Sequence, residues 1–239
     1  MTEATVQQPT TTTREQIWLN REQVRKEKPV YRALKRAQDI FFSLLALIVL
    51  SPLLLIVALA IVIDDPKGSP IFTQVRSGID GKEFRIHKFR SMCVDAEAKL
   101  ADLKRSTEMN GPIFKQKDDP RITRVGRFIR KCGIDELPQF INVLKGDMSI
   151  VGPRPHMLQH TEQYSKLINK YMVRHLIKPG ITGWAQVQGF RGETKTLDQM
   201  ENRVKADIWY VENWSFGLDL RIMWRTLLNM LRHNEENAY

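Results

Sequence analysis

Two adjacent carboxylates, Asp135 and Glu136, stand in the run Gly133-Ile134-Asp135-Glu136-Leu137-Pro138. A carboxylate kept ionised can attack phosphorus. A second one beside it can hold Mg²⁺ against a substrate diphosphate, because Mg²⁺ prefers a few protein oxygens together with phosphate and water. Their mutual repulsion calls for nearby cations. Upstream, Arg121, Arg124, Arg127 and Arg130 recur at three-residue spacing, a one-signed stripe suited to phosphates. Downstream, Gly152-Pro153-Arg154-Pro155 brackets one arginine between two prolines. Two prolines fix the backbone, through trans or cis bonds, and present a guanidinium fork rigidly to a phosphate or base. Each feature also has a plainer reading. Asp135 can be only an N-cap, Glu136 only a favourable charge on a helix dipole, the arginines a solvated face, and Pro-Arg-Pro an ordinary loop.

These residues need elements to hold them. Over 123–132, Val125, Phe128, Ile129 and Cys132 fall on one face and Arg124, Arg127 and Arg130 on the other, which predicts a short amphipathic helix. Leu137, Phe140, Ile141 and Leu144 predict the next helix, ended by Gly146. With Asp135 as its N-cap and Pro138 in the first turn, the dyad sits at a helix N-terminus, which attracts phosphate oxygens. Residues 70–90 predict a β-hairpin around Gly78, Asp80 and Gly81. A short helix is expected over 95–104, with a break at Asn110-Gly111-Pro112. Tyr164, Leu167, Ile168, Tyr171, Met172 and His175 predict a helix over 161–177, stopped by Lys178-Pro179-Gly180. Residues 197–213 are expected to be helical. The amphipathic stretch 219–232 suits either the core or a membrane interface.

Ile40 to Ile63 is a 24-residue run without a charge. As a straight helix it is about 36 Å long, enough to cross a bilayer core of roughly 30 Å. It begins too late and runs too long for a signal peptide. Ser51-Pro52 lies at its middle, where proline kinks a helix. Both flanks are basic. Residues 21–38 carry Arg21, Arg25, Lys26, Lys28, Arg32, Lys35 and Arg36, and residues 64–90 carry Lys67, Arg76, Lys82, Arg85, Lys88 and Arg90. A full crossing puts one of these flanks outside, against the positive-inside bias. A re-entrant helix hairpin bent at Ser51-Pro52 keeps both on one anionic leaflet.

Composition bounds the rest. The chain has 239 residues, 42% of them apolar, and a formal charge of +10, which suggests an anionic partner. Its mean hydropathy of −0.35 excludes a polytopic membrane protein. Cys93 and Cys132 are too few for a disulfide framework. His156 and His160 stand four apart, but no further ligands complete a zinc site. No Walker loop, dinucleotide fingerprint or Gly-x-Ser-x-Gly occurs, and no nucleic-acid reading motif supports nucleic acid as partner. The expected organisation is α+β and mainly helical. Residues 1–30 form a disordered tail, 31–65 the basic flank and membrane helix, and 66–239 a small cytoplasmic catalytic domain with a β-hairpin and interfacial amphipathic helices.

Taken together, the motifs resemble the bacterial sugar transferases, polyprenyl-phosphate phosphoglycosyl transferases of the monotopic type. The resemblance covers about residues 31 to 232. It rests on Lys35-Arg36 and Asp39, Ser51-Pro52, Lys88-Phe89-Arg90-Ser91-Met92, Asp135-Glu136-Leu137-Pro138-Gln139, the stretch Asn142 to Asp147, Gly152 to Pro155, and Lys178-Pro179-Gly180-Ile181-Thr182-Gly183-Trp184-Ala185-Gln186-Val187. It implies transfer of a sugar 1-phosphate from a UDP-sugar to undecaprenyl phosphate with release of UMP, at the cytoplasmic face of the inner membrane. By the same resemblance, Asp135 matches the nucleophile of a covalent phosphosugar intermediate and Glu136 the Mg²⁺-associated acid. Arg130 matches a phosphate-contacting arginine, and Lys88, Arg90, Arg154 and Asp207 further site positions. The Ser51-Pro52 break matches a re-entrant helix. About 39 residues precede that helix, as in the short form of the family. Gly189-Phe190-Arg191-Gly192-Glu193-Thr194 resembles the glucose-transferring subgroup, which implies UDP-glucose as donor, with galactose or an N-acetylated sugar as alternatives. The implied pathway is exopolysaccharide or capsule synthesis. Two other readings stand beside this one: a membrane-bound glycosyltransferase that releases UDP, and a non-enzymatic basic membrane-anchored protein.

Overall fold

The computed structural model describes residues 29–99 and 119–231, apart from 193 and 195. The expected tail lies outside the described residues up to position 28. So do most of the helix expected over 95–104, of which 96–99 are helical, and the break at Asn110-Gly111-Pro112.

Helix α1 (Pro29–Asp64) contains the whole apolar run, with Pro52 inside it. Ser51-Pro52 thus lies within one continuous helix and not in a loop between two. Proline has no N–H to offer the carbonyl four residues back, that of Ile48. The Ser51 hydroxyl donates to that same carbonyl at 2.7 Å. The Ser-Pro pair therefore removes a donor and replaces it one residue earlier, which matters most where no water can substitute. The large side chains of this stretch stay uncovered: Ile48 is 70% exposed, Ile56 63% and Ile63 81%. So much apolar surface on one long helix fits association with a membrane.

Both ends of α1 are fastened by polar contacts. Near the start, Lys35 reaches the fully buried Asp219 at 2.6 Å. The Arg36 guanidinium donates to the carbonyls of Val143 and Leu144 at 2.6 and 2.8 Å. The Asp39 carboxylate accepts from the Ser149 hydroxyl and the Ile150 N–H, both at 3.0 Å. At the far end, Asp64 accepts the Val125 N–H at 3.0 Å, and Asp65 pairs with Arg90 at 2.5 Å.

Strands β1 (Ile71–Ser77) and β2 (Glu83–Phe89) form the expected antiparallel hairpin. Its turn places Asp80 and Gly81 at φ 59° and 73°, the left-handed region that Asp-Gly tolerates. Helix α2 (Arg124–Lys131) starts where the Thr123 hydroxyl accepts the Gly126 N–H at 2.9 Å. A single 3₁₀ turn, Ile134–Glu136, carries the dyad, and α3 (Gln139–Lys145) follows, ended by Gly146 at φ 92°. Asp135 is therefore not the cap of α3. Pro138 occupies that place, and Gly133 at φ 68° turns the chain sharply enough to set the carboxylates in their own 3₁₀ turn.

A second, parallel pair joins β3 (Ser149–Val151) to β4 (Gly180–Thr182). Helix α4 (Leu158–Leu167) and a 3₁₀ segment, Tyr171–Leu176, lie between them. The helix expected over 161–177 is thus broken in two. Lys170 takes a left-handed φ of 59°, and the re-aimed chain buries Tyr171, Arg174, His175 and Leu176 together. Helices α5 (Trp184–Val187), α6 (Leu197–Asn213) and α7 (Phe216–Leu231) complete the described fold. The main core gathers Ile86, Val143, Met148, Ile150, Val151, Tyr210, Trp214 and Ile222. A smaller one joins Val57 and Ile61 of α1 to Phe89 and Ile129. The architecture is mainly helical α+β.

The β3–β4 pairing brings the Gly152–Pro155 and Lys178–Val187 motifs together backbone to backbone. The Gly152 N–H donates to Thr182 at 2.8 Å and the Gly180 N–H to Pro153 at 2.9 Å. A Cβ on Gly180 would meet the Gly152 nitrogen at 2.1 Å. Neither strand can yield without moving Arg154. Gly180→Ala is therefore expected to destabilise the fold by about 3 kcal/mol and to depress activity at temperatures where the protein stays folded. A thermal melt and an activity assay on the same preparation check this.

Candidate active site

The 3₁₀ turn sets Asp135 and Glu136 side by side with each side chain almost wholly buried, at 6% exposure for both residues. Their surroundings differ. The Glu136 carboxylate accepts from Lys88 Nζ at 2.7 Å and from both terminal nitrogens of Arg154, at 2.5 and 3.0 Å. Burial alone would raise its pKa, but the charges and hydrogen bonds of Arg154 and Lys88 outweigh burial and hold it well below the usual range. Asp135 has no such clamp. Its Oδ1 is buried and has no hydrogen-bond partner among the described residues. Burial and the Glu136 charge push its pKa up to about 6, against the pull of Lys88, Arg130 and Arg154. One carboxylate is thus a fixed anion that organises cations. The other is ionised near neutral pH, more basic than an ordinary aspartate, and has a buried oxygen with nothing to bond. That is the environment of a nucleophile.

The elements explain how these groups meet. Lys88 leaves β2 toward the 3₁₀ turn. The His87 N–H of the same strand donates to Asn142 Oδ1 at 2.9 Å, and Asn142 Nδ2 donates to the Arg85 carbonyl at 2.7 Å. The fully buried Asn142 of α3 therefore rivets β2 beside the dyad. Arg154 comes from the turn after β3, with Pro153 and Pro155 both trans. Behind it, the Arg174 guanidinium donates to the Arg154 carbonyl at 2.7 Å and to Asp207 at 2.8 and 3.0 Å.

All nine of the expected site residues lie among the described residues. Asp135, Glu136, Lys88 and Arg154 come together, and Arg130 acts on Asp135 through its charge. Asp207 stands behind Arg154, paired to Arg174, and does not join the dyad. Arg90 turns the other way: it binds Asp65 and the carbonyls of Ser69 and Gly68, closing the chain after α1. Ser51 and Pro52 lie at mid-helix in α1. The arginine stripe also divides. Arg121 is buried in a fork on Asp119 at 2.6 to 3.1 Å, whereas Arg124 and Arg127 are exposed.

Sequence reasoning missed Arg76, Arg174 and Arg203. Arg76 is pushed down to about 10 by burial and by the charge of Arg154, countered by Glu136, so it belongs to the same neighbourhood. Arg203 is pushed down to about 10 by burial and by Arg154 and Arg174. A signal existed for one pair. Arg174 and Asp207 each interrupt the apolar face of a predicted helix with a charge, which a buried ion pair resolves.

Among the described residues no three acidic, histidine or cysteine side chains gather to hold a metal ion. Lys88 and Arg154 already balance much of the dyad's charge, so the site does not demand a resident ion. The unpartnered Asp135 Oδ1 and the oxygens of Glu136 are nevertheless suitable donors for Mg²⁺ that arrives with a diphosphate. A carboxylate attacks only when ionised. Activity is therefore expected to rise with pH through an apparent pKa of about 6 and to fall below it. A kcat/KM profile from pH 5 to 8 checks this, and a limb near 4 would contradict it.

The family model described as bacterial sugar transferase matches residues 30–233. Curated relatives agree in kind. The UDP-glucose:undecaprenyl-phosphate glucose-1-phosphate transferase of Escherichia coli is 50% identical over 198 residues, covering 83% of this chain and 40% of that protein. The UDP-N-acetylgalactosamine-undecaprenyl-phosphate N-acetylgalactosaminephosphotransferase of Aeromonas hydrophila is 42% identical over 203 residues, 85% of this chain and 45% of that protein. The exopolysaccharide production protein PSS of Rhizobium leguminosarum is 44% identical over 201 residues, 83% of this chain and 95% of that protein. The chain thus spans less than half the length of the first two.

Proposed function

The chain belongs to the bacterial sugar transferase family, and we propose that it moves a sugar 1-phosphate from a UDP-sugar to undecaprenyl phosphate through Asp135. The carrying observation is the contrast within the dyad: Glu136 is clamped by Lys88 and Arg154, while Asp135 keeps a buried, unpartnered oxygen. In the first step an Asp135 oxygen attacks the phosphorus that bears the sugar. The bond from that phosphorus to the bridging oxygen breaks, and UMP departs with the oxygen. In the second step an oxygen of undecaprenyl phosphate attacks the same phosphorus, and the Asp135 carboxylate leaves unchanged. Lys88, Arg130 and Arg154 stabilise the charge on the phosphate oxygens. Mg²⁺ bound with the diphosphate at Asp135 and Glu136 would add to that neutralisation.

Glucose is the proposed sugar. Arg191 of the stretch 189–194 borders the dyad turn, because a Cβ on Gly133 would lie 3.2 Å from its guanidinium. The resemblance of that stretch to the glucose-transferring subgroup therefore includes a residue beside the dyad turn. The Aeromonas relative, named for N-acetylgalactosamine, marks the alternative donor. The Rhizobium relative, named for exopolysaccharide production, supports that pathway.

The proposed membrane geometry is re-entrant, with the enzyme on the cytoplasmic leaflet of the inner membrane. A straight helix would set Arg36 and Asp64 about 42 Å apart along its axis, on opposite sides of a bilayer. In support of the re-entrant geometry, Arg36 caps the C-terminal end of α3 and Asp64 binds the first turn of α2, so both ends of α1 are tied to consecutive elements joined by the dyad turn. The stretch between keeps Leu44, Leu45, Ile48, Val49 and Leu53 exposed. The proposed interfacial helices are α7, which exposes Phe216, Leu220, Trp224 and Leu227 along one stripe, and α2, which exposes Phe128 beside Arg124 and Arg127.

The test is nucleotide release in detergent with UDP-glucose, Mg²⁺ and undecaprenyl phosphate. UMP is expected. UDP in its place, or no nucleotide from any UDP-sugar tried, would overturn the reading.

A further inference from the structure

Arg154 is shared by two groups of charge. The first surrounds Asp135, where Lys88, Arg130 and Arg154 are the cations that act on it most. The second consists of Arg76, Arg174 and Arg203 around Arg154, and the dyad chemistry as described gives Arg76 and Arg203 nothing to do. Both sit on elements clamped to the Arg154 turn. Arg76 precedes Ser77, whose N–H donates to the His156 carbonyl at 3.1 Å and whose hydroxyl donates to Thr161 at 2.8 Å. Arg203 lies one helical turn before Asp207 on α6, and Asp207 holds Arg174, which holds the Arg154 carbonyl. The charge of Arg154 acts on both Arg76 and Arg203, while Arg154 itself bonds Glu136 and Arg174 bonds both the Arg154 carbonyl and Asp207.

Two further observations point to a ligand. Arg203 is 7% exposed; a terminal nitrogen donates to the Gly192 carbonyl, but its Nε is a buried donor with no acceptor among the described residues. The Nε of Arg76 is buried and unpartnered in the same way, although its terminal nitrogen donates to Gln74 at 2.5 Å. Buried donors without acceptors are rare in folded proteins, and two of them in one cationic cluster call for an anion. The cost of gathering like charges is borne because something negative arrives.

We propose that Arg76 and Arg203, with Arg154 between them and the dyad, hold the phosphate that departs with the nucleoside. This rests on the proposed phosphosugar transfer. It follows from the stereochemistry of that transfer: attacking and departing oxygens lie on opposite sides of the transferred phosphorus. Asp135 with Lys88 and Arg130 serves the attacking side, Arg154 the transferred group, and Arg76 with Arg203 the departing side. The departing phosphate carries one negative charge within the diphosphate and gains a second as the bond breaks. Preorganised donors aimed at it therefore favour the broken state over the intact one. The site selects a nucleoside monophosphate as the species it binds best.

The test is calorimetric titration of UMP into the detergent-solubilised wild type, Arg76→Gln and Arg203→Gln, with uridine as the control ligand. Each variant is expected to bind UMP about 10- to 100-fold more weakly, the loss of one charge-assisted contact, with uridine affinity unchanged. UMP affinity equal to wild type in both variants would overturn the inference. Arg203 is buried, so its variant must first show a cooperative melt. Arg76, on the hairpin, supplies an independent variant if Arg203→Gln does not fold. Failure of the underlying reading has a different signature, since wild type alone would then release UDP in place of UMP.

Discussion

Asp135→Asn is expected to abolish UMP release while raising the melting temperature of the ligand-free protein. The first effect follows from chemistry. An amide is not a nucleophile toward phosphorus here, and the remaining cations cannot replace it, so turnover should drop at least about 10³-fold. The second follows from the same buried carboxylate. Its pKa stands at about 6 in the folded protein against an ordinary 3.8. The folded state therefore holds its proton more tightly than the unfolded one. Stability is lost as pH rises from about 4 through 6, by roughly 3 kcal/mol in all. Asparagine is neutral at every pH and removes that cost. At pH 7.5 the variant should melt several degrees higher, and the advantage should vanish near pH 4. Melts at both pH values, beside the UMP assay, check the pair of effects. An inactive variant less stable than wild type at pH 7.5 would mean that Asp135 serves the fold.

Arg154→Ala should lose both activity and stability. Its guanidinium is two of the three donors to Glu136, whose side chain is 8% exposed. Removing one partner of a buried pair leaves an undercompensated charge, which costs about 3–5 kcal/mol. Arg154 is itself 30% exposed, so the lower end is expected here. Transition-state stabilisation is lost as well, and kcat should fall about 10²- to 10³-fold. A pH signature accompanies the loss. Arg154 is one of the cations that pull the Asp135 pKa down, so the acid limb of the activity profile should move above 6. Arg154→Lys restores charge without the fork and should recover the limb more fully than the rate. A limb that stays in place in Arg154→Ala would contradict the assigned electrostatics.

Much of this was legible in the sequence. An uncharged run of 24 residues has few physical readings, and adjacent carboxylates between basic segments ask for phosphate chemistry. The hairpin was readable because Asp80-Gly81 suits the left-handed turn that β1 and β2 need. The dyad's local structure was not. A helix N-cap and a 3₁₀ turn share the same residue preferences, and only Gly133 at φ 68° and Pro138 at the start of α3 separate them. The role of Arg90 was hidden for a related reason. Two positions from Lys88 on one strand, it shares that residue's face by periodicity, yet the strand ends at Phe89 and Arg90 follows the chain back to Asp65. Lys35 and Arg36 read as part of a basic flank and Asp39 only as a motif residue; all three prove to be clamps, hidden because their partners Asp219, Val143 and Ser149 lie more than a hundred residues away. Long-range pairs of this kind leave no local periodicity to find.

The most direct measurement of the central claim is the mass of the intact protein after incubation with UDP-glucose and Mg²⁺, without undecaprenyl phosphate. A gain of one sugar phosphate per chain is predicted, located on Asp135, with an equal burst of UMP, and both should be absent in Asp135→Asn. Unmodified protein that releases UMP only once undecaprenyl phosphate is added would contradict a covalent role for Asp135.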